Sequence, residues 1–233
     1  MNLLVLTILF YFVYSFIGWI IEVIYVGIDS KEFINRGFLI GPVCPIYGAC
    51  SLFMLVTLRY FKDTPLLLFC MAIIICSVIE YLTSYVMEKL FGARWWDYSD
   101  KPFHLHGRIY LINSLLFGIL GYFLLYYVHP FLLQLINIIP ITIIYGVVII
   151  FSLIFIIDCI ISFNVILKIK KVTAFVKKDN TKEISEKVRE ILKNTSFLGK
   201  RLLSAFPDFR VIIKDIGFKV EKQINKISNR GVK

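Results

Sequence analysis

The sequence predicts an all-α membrane protein of about five transmembrane helices with a basic, amphipathic, helical C-terminal tail. Three observations predict it. The chain is 58% apolar with a mean hydropathy of +0.78, where an ordinary soluble domain is nearer half apolar. Several apolar runs reach the roughly 20 residues that a bilayer-crossing helix needs. The charge is divided along the chain: residues 164–233 hold 18 Lys/Arg against 7 Asp/Glu, so the whole net charge of +10 lies in that segment. A soluble fold would have to hide every one of those apolar runs in a single core.

The elements follow in order. Span one is expected over residues 3–25. No basic segment precedes it and no small-residue cleavage pattern follows, so it reads as a retained helix rather than a signal peptide. Span two is expected over 42–61, starting at Pro42 or Pro45, and span three over 65–87. Span four covers 109–128 and span five 140–163. Pro42, Pro65 and Pro140 fit helix starts, where the missing N–H has no intrahelical partner to lose. The short apolar segment 130–139, with Gln134 and Asn137, reads as an extension of span five or an interfacial stretch. The transmembrane domain is thus 1–163 and the tail 164–233.

Orientation follows from the Lys/Arg bias of the loops. With the tail in the cytoplasm, five spans put the N-terminus outside. Lys31, Arg36, Lys89, Arg94, Lys101 and Arg108 then fall inside, and only Arg59 and Lys62 fall outside. The expected location is a bacterial plasma (inner) membrane, multi-pass. Within the tail, Ile184, Val188, Ile191 and Leu192 mark one helical face. Phe209, Ile213, Ile216, Val220 and Ile227 follow a short heptad spacing. Such a tail suits anionic lipid at the membrane surface or a contact between copies in a homo-oligomer. Beside a membrane domain, it does not call for nucleic acid. A weak internal recurrence relates spans one and two to spans three and four: Gly37, Leu39, Tyr47 and Gly48 reappear 70 residues later as Gly107, Ile109, Phe117 and Gly118.

Ionisable groups inside a bilayer cost on the order of 3 kcal/mol and face protein or water. Glu22 and Glu80 are therefore candidate site residues, whereas Asp158, close to the tail lysines, reads as a boundary residue. The densest motif is 35–48. Arg36, Gly37, Gly41, Pro42, Cys44, Pro45 and Tyr47 make an irregular mouth to span two, which survives at membrane depth only against protein or a wet cavity. The second motif is 95–108. Trp96, Asp97, Tyr98, Ser99, Gly107 and Arg108 crowd polar and aromatic groups together beyond what an interfacial aromatic belt requires. Asp97 is expected to pair with Arg36, Arg94 or Arg108. His104 and His106 lack a third ligand at helical spacing, so no metal is assigned. The five cysteines form no CxxC pair and read as small buried hydrophobes. No cofactor is called for. A phosphate-binding loop, G-x-S-x-G and H-E-x-x-H are all missing from the sequence, so no ATPase, serine hydrolase or metalloprotease is encoded in it. The chain is not expected to be an enzyme.

The runs SFIGWIIEVIY, INRGFLIGPVCPIYG and VIEYLTSYVMEKLFGARWWDYSDKPFHLHGRIYLINSLLFG resemble the bacterial ABC-transporter permease family, ABC-transporter type IV. The resemblance covers about residues 10–125, with His104 where the family often has Asn and Phe117 where it often has Trp. It implies a permease subunit served by a separate cytoplasmic ATPase, and it assigns no substrate. The residues leave two rivals open, a membrane enzyme acting on lipid and a non-transporting assembly or regulatory subunit.

Overall fold

The structure is a computed structural model that describes residues 2–31, 33–35, 37–91, 93–175, 201, 204–205 and 210–211. Helix α1 is Leu3–Ser30. The Asn2 side chain caps it by accepting the Leu4 amide at 3.0 Å. It stops at Lys31, whose left-handed backbone (φ 56°) lets its N–H reach the Gly27 carbonyl. An irregular segment leads to α2, Pro45–Leu58, with proline in its first turn. A short 3₁₀ turn, Arg59–Phe61, closes it, and α3 follows as Pro65–Phe91. Two short antiparallel pairs border the next loop: β1 (Ala93–Arg94) with β4 (Arg210–Val211), and β2 (His104–Leu105) with β3 (Ile109–Tyr110).

Helix α4, Leu111–Phe123, passes through a π-helical stretch, Leu124–Val128, into α5, His129–Ile138. Helix α6 is Ile141–Phe175. Segments Leu3–Ile28, Pro65–Leu90, Leu111–Ile138 and Ile141–Asn164 are each long and apolar enough to cross a membrane, and Pro45–Phe61 is a shorter apolar helix. The chain is a multi-pass, all-α membrane protein.

Three helices outrun the expected spans: α1 ends at Ser30 rather than residue 25, α3 at Phe91 rather than 87, and α6 at Phe175 rather than 163. Span four does not stop at Val128: the helix runs on to Ile138, so the segment 130–139 extends span four rather than span five. Pro130 has no amide for a helical ladder and its ring crowds the preceding turn. The widened π-helical turn just before it, where the His129 amide bonds five residues back to Leu124, relieves that conflict. Span two begins at Pro45, the later of its two expected starts. The amphipathic stretches expected at 181–194 and 209–227 lie outside the described residues, apart from the extended pair Arg210–Val211.

One apolar core joins the helices. It contains Leu9, Phe10 and Tyr14 of α1, Met54 and Leu58 of α2, and Leu68, Ala72 and Cys76 of α3. Leu124 and Leu125, Ile136 of α5, and Ile144 and Val148 of α6 complete it. The outward faces are also apolar, as in Ile149, Phe151, Leu153, Ile156 and Ile157 of α6, which are all largely exposed. That is the pattern of a bundle whose solvent is hydrocarbon.

The bundle is built from two similar helical hairpins. Gly48 of α2 lies so close to α1 that a Cβ on it would sit 2.2 Å from Ser15 Oγ and 2.6 Å from the Tyr11 carbonyl. Gly118 of α4 lies against α3 in the same way, 2.7 Å from both Ile73 and Phe69. Tyr11 and Phe69 are 58 positions apart, and so are Ser15 and Ile73. The same offset pairs the core residues Phe10 with Leu68 and Tyr14 with Ala72, and it pairs Glu22 with Glu80. In the second helices an offset of 70 pairs the buried residues Cys44 with Ser114, Gly48 with Gly118 and Met54 with Leu124. Small residues at such contacts let helix backbones approach where apolar burial alone gives no drive in lipid.

Candidate functional site

Three polar assemblies gather at one end of the bundle, where α1 and α3 finish and α2 and α4 begin. The loops between them touch: the Phe38 ring meets Trp95 at 5.4 Å and Phe163 at 5.5 Å.

The first assembly holds the loop before α2. Asp158 of α6 is 9% exposed. Its Oδ1 accepts the Ile40 amide at 2.8 Å, and its Oδ2 accepts the Gly41 amide at 2.7 Å. Ser162, one turn on, donates its hydroxyl to Oδ1 at 3.0 Å. The opposite, carbonyl side of the same loop faces Arg201. Its Nη2 donates to the Gly37 and Phe38 carbonyls, both at 3.0 Å, and its Nη1 donates to Ile40 at 3.4 Å. Burial lowers the Arg201 pKa from its ordinary value, and the charge of Asp158 opposes that shift. Asn35 completes the loop by accepting from the Trp19 indole at 2.7 Å and the Gly37 amide at 3.1 Å, while its amide donates to the Ile40 carbonyl at 2.9 Å. The Cys44 amide donates to the Ser15 carbonyl, fastening the loop's far end to α1.

The second assembly holds two acids, each with a tyrosine of its own. Tyr47 donates its hydroxyl to Glu22 Oε1 at 2.6 Å. Glu80 Oε1 accepts from the Asn113 amide at 2.9 Å and, more weakly, from the Tyr98 hydroxyl at 3.5 Å. Glu80 is 7% exposed, and its Oε2 has no hydrogen-bond partner among the described residues. Tyr110, just before α4, packs its ring 4.7 Å from that of Tyr98. Burial raises its phenol pKa above the ordinary value, and neighbouring Tyr25 and Glu80 add to the shift.

The third assembly ties the loop after α3 to the helix it leaves. Arg108, 6% exposed, donates to Glu88 Oε2 at 2.6 Å and to the Ser84 hydroxyl at 3.0 Å. Arg94 donates to the same Glu88 oxygen through Nε and Nη2, both at 3.2 Å. It also reaches Asp97 at 3.5 Å. Asp97 Oδ1 accepts the Ser99 hydroxyl at 2.5 Å and its amide at 3.1 Å. The Trp96 indole donates to the Arg108 carbonyl, and the Tyr98 amide donates to the Gly107 carbonyl. Gly107 has φ +67°, and a Cβ there would fall 2.4 Å from both Asp97 Oδ1 and Ser99 Oγ. Glycine is required at that position on two counts, backbone conformation and space.

The expected site residues therefore separate. Glu22 comes together with Tyr47, and Glu80 with Tyr98. Gly37, Gly41, Cys44 and Pro45 shape the clamped loop, on which Pro42 is exposed. Trp96, Asp97, Ser99, Gly107 and Arg108 form the staple, with Asp97 paired to Arg94 as one of the three cations expected for it. Arg36 lies outside the described residues. His104 and His106 go to different partners, the Gly107 amide and the Tyr81 hydroxyl. Sequence reasoning undervalued Asp158, which anchors the loop rather than marking a boundary, and it missed Asn113, Arg201 and the bridging role of Glu88. Asn113 did carry a signal, a lone amide in the first turn of an otherwise apolar helix.

No curated protein and no solved structure matches this chain. A family model does: residues 9–163 match the family described as Putative ABC-transporter type IV. That segment contains both loops and the acids Glu22, Glu80, Glu88 and Asp158. The chain belongs to the ABC-transporter type IV family, as a multi-pass membrane protein.

Proposed function

We propose that this chain is the permease subunit of an ABC-type transporter, working by alternating access around the polar end of the bundle. The observation that carries this reading is the meeting of two irregular loops at the end of a membrane bundle that also holds the buried acid Glu80 and the half-buried acid Glu22. Ionisable groups at such depth mark substrate or ion paths. That end is assigned to the cytoplasm, because Lys31, Lys89, Arg94, Lys101 and Arg108 collect there. The N-terminus is then outside, and the basic tail lies on the inner leaflet. The ATP-hydrolysing partner is a separate chain that docks on loops 27–41 and 88–108, as this sequence has no phosphate-binding loop of its own.

The test is to solubilise the full chain in mild detergent and identify what co-purifies. An ATPase retained by the native protein, and lost when loop 88–108 is altered at the exposed Lys101, supports the reading. Purification without any ATPase, together with unchanged growth of a knockout under all nutrient limitations tried, removes it. In a cysteine-free background, Ser30→Cys and Ser99→Cys should resist an impermeant thiol reagent in intact cells while Asp63→Cys reacts. The reverse pattern overturns the orientation.

A further inference from the structure

The hairpin β2–β3 leaves its apolar tip uncovered beside the start of a lipid-facing helix. Its register fixes that depth. Leu105 lies opposite Ile109, and His104 lies opposite Tyr110, the residue just before α4. The next two residues, Leu111 and Ile112, are exposed on a helix long and apolar enough to cross a membrane. A second contact agrees. Tyr81 of α3 meets His106, hydroxyl to Nδ1, at 3.0 Å, and the same helix turns Leu82, Tyr85 and Val86 outward. At the tip, Phe103 is 83% exposed and Leu105 51%. Phe103 also has φ 53°, a left-handed conformation that bulky side chains rarely adopt. Between them, His104 Nδ1 accepts the Gly107 amide at 3.1 Å. An Nδ1 that accepts leaves the ring hydrogen on Nε2, so this exposed ring carries a donor.

We propose that Phe103, His104 and Leu105 form an interfacial anchor that enters the headgroup layer of the adjacent leaflet. Phe103 and Leu105 bury at the acyl boundary, and His104 Nε2 donates to a phospholipid phosphate. Lipid is the occupant because the tip adjoins the outward apolar residues that end α3 and begin α4. Aromatic side chains concentrate at that level of a bilayer, and interfacial binding grows with the apolar area buried there. The exposed, left-handed Phe103 thereby gains a partner that the rest of the chain does not supply. The anchor needs only a bilayer and does not depend on the permease reading. It sets the depth of the loop that carries Gly107 and Arg108, whose bonds to Tyr98 and Glu88 shape the polar end of the bundle.

The test uses the full-length chain with its native cysteines replaced, reconstituted in phosphatidylcholine and phosphatidylglycerol vesicles. A nitroxide is attached at Leu105→Cys. Its collisions with oxygen, which concentrates in lipid, are compared with those of a neutral nickel chelate, which stays in water. Ile149→Cys on the outward face of α6 gives the lipid value, and the exposed Asp63→Cys gives the water value. The oxygen-to-nickel ratio at 105 should lie nearer the Ile149 value. Phe103→Ser should shift it toward the Asp63 value, with the Tm of the parent retained because Phe103 is exposed. His104→Ala should shift it the same way in phospholipid, and not in vesicles of a phosphate-free glycolipid. A water-like ratio at 105 with Phe103 intact overturns the anchor and leaves the tip to a protein partner. A lipid-like ratio that Phe103→Ser does not move overturns the role of Phe103. Equal effects of His104→Ala in the two lipids overturn the phosphate contact.

Discussion

Asp158 holds Gly41 by its amide hydrogen at 2.7 Å, across 117 positions of sequence. A carboxylate in the fifth apolar span thereby fixes the loop that opens the second. Because its other oxygen takes the Ile40 amide, the contact is a fork of two charge-assisted bonds, each worth about 1.5–3 kcal/mol. Asp158→Ala should therefore lower the detergent-phase Tm by several degrees and expose the loop to protease. Asp158→Asn should cost less, and Ser162→Ala least. Equal Tm values for wild type and Asp158→Ala would show that the fork does not bear on stability.

Helix approach gives a sharper contrast. Gly48→Ala and Gly118→Ala each place a methyl within 2.2–2.7 Å of the facing helix, an overpacking that costs about 1–3 kcal/mol. Gly146 of α6 has nothing within 4 Å of an added Cβ. Gly146→Ala should be neutral or stabilising by about 0.5–1 kcal/mol, since it only removes backbone freedom. Thermal unfolding of the three variants side by side would check the ranking, and a Gly48→Ala protein as stable as Gly146→Ala would contradict it.

The staple after α3 predicts a difference between two aspartates three positions apart. Asp97 accepts from Ser99 and pairs with Arg94, whereas Asp100 is exposed. Asp97→Asn should destabilise the protein and reduce whatever activity a complementation assay reports, and Asp100→Asn should leave both unchanged. Equal tolerance would reduce the segment to an interfacial aromatic belt.

Arg108 and Glu88 make the most enclosed ion pair of the loop, at 2.6 Å. Removing one member strands the other, and for a buried pair that costs about 3–5 kcal/mol. Glu88 is the less buried partner and also holds Arg94, so Glu88→Gln should fall at or below the lower end of that range. Arg108→Met should be the more damaging change. Expression yield and Tm of the two variants would order them.

Arg201 links the chain beyond the family-matched segment to the loop before α2, with three carbonyls around one guanidinium. Arg201→Ala should loosen residues 37–40, read as faster amide hydrogen exchange there, with exchange in the α3–α4 hairpin unchanged. Unaltered exchange at 37–40 would show that the contact does not order the loop.

Several features were legible because they rest on local chemistry. The run Ile73-Ile74-Ile75-Cys76 ahead of Glu80 places that acid about 22 Å along its helix, at 1.5 Å per residue, and the acid is indeed buried. The crowding of Asp97, Ser99 and Arg108 signalled a wired loop. Other features depend on distance in sequence or on an unusual helical turn. Pro130 reads as a helix breaker, and only the π-helical stretch before it lets span four continue. Asp158 lies near the tail lysines in sequence, yet its partners are amides of a loop more than a hundred residues earlier. The equivalence of Glu22 and Glu80 in the repeat is hidden by unequal loops, which shift the offset from 58 in the first helices to 70 in the second.

The two hairpins also differ in reach. The second helix of the first hairpin, with its 3₁₀ turn, ends at Phe61, whereas its counterpart runs on to Ile138. At 1.5 Å per residue the 17 residues from Pro45 cover about 25 Å, less than the roughly 30 Å of hydrocarbon in a typical bilayer. Phe53 and Val56 on that helix face outward. Lipid beside it must thin or the helix must stay upright, while the longer helices can tilt. The protein therefore meets its membrane as a wedge with a thin side at α2. Acyl-chain length in a reconstituted bilayer becomes a variable to which the first hairpin responds before the second.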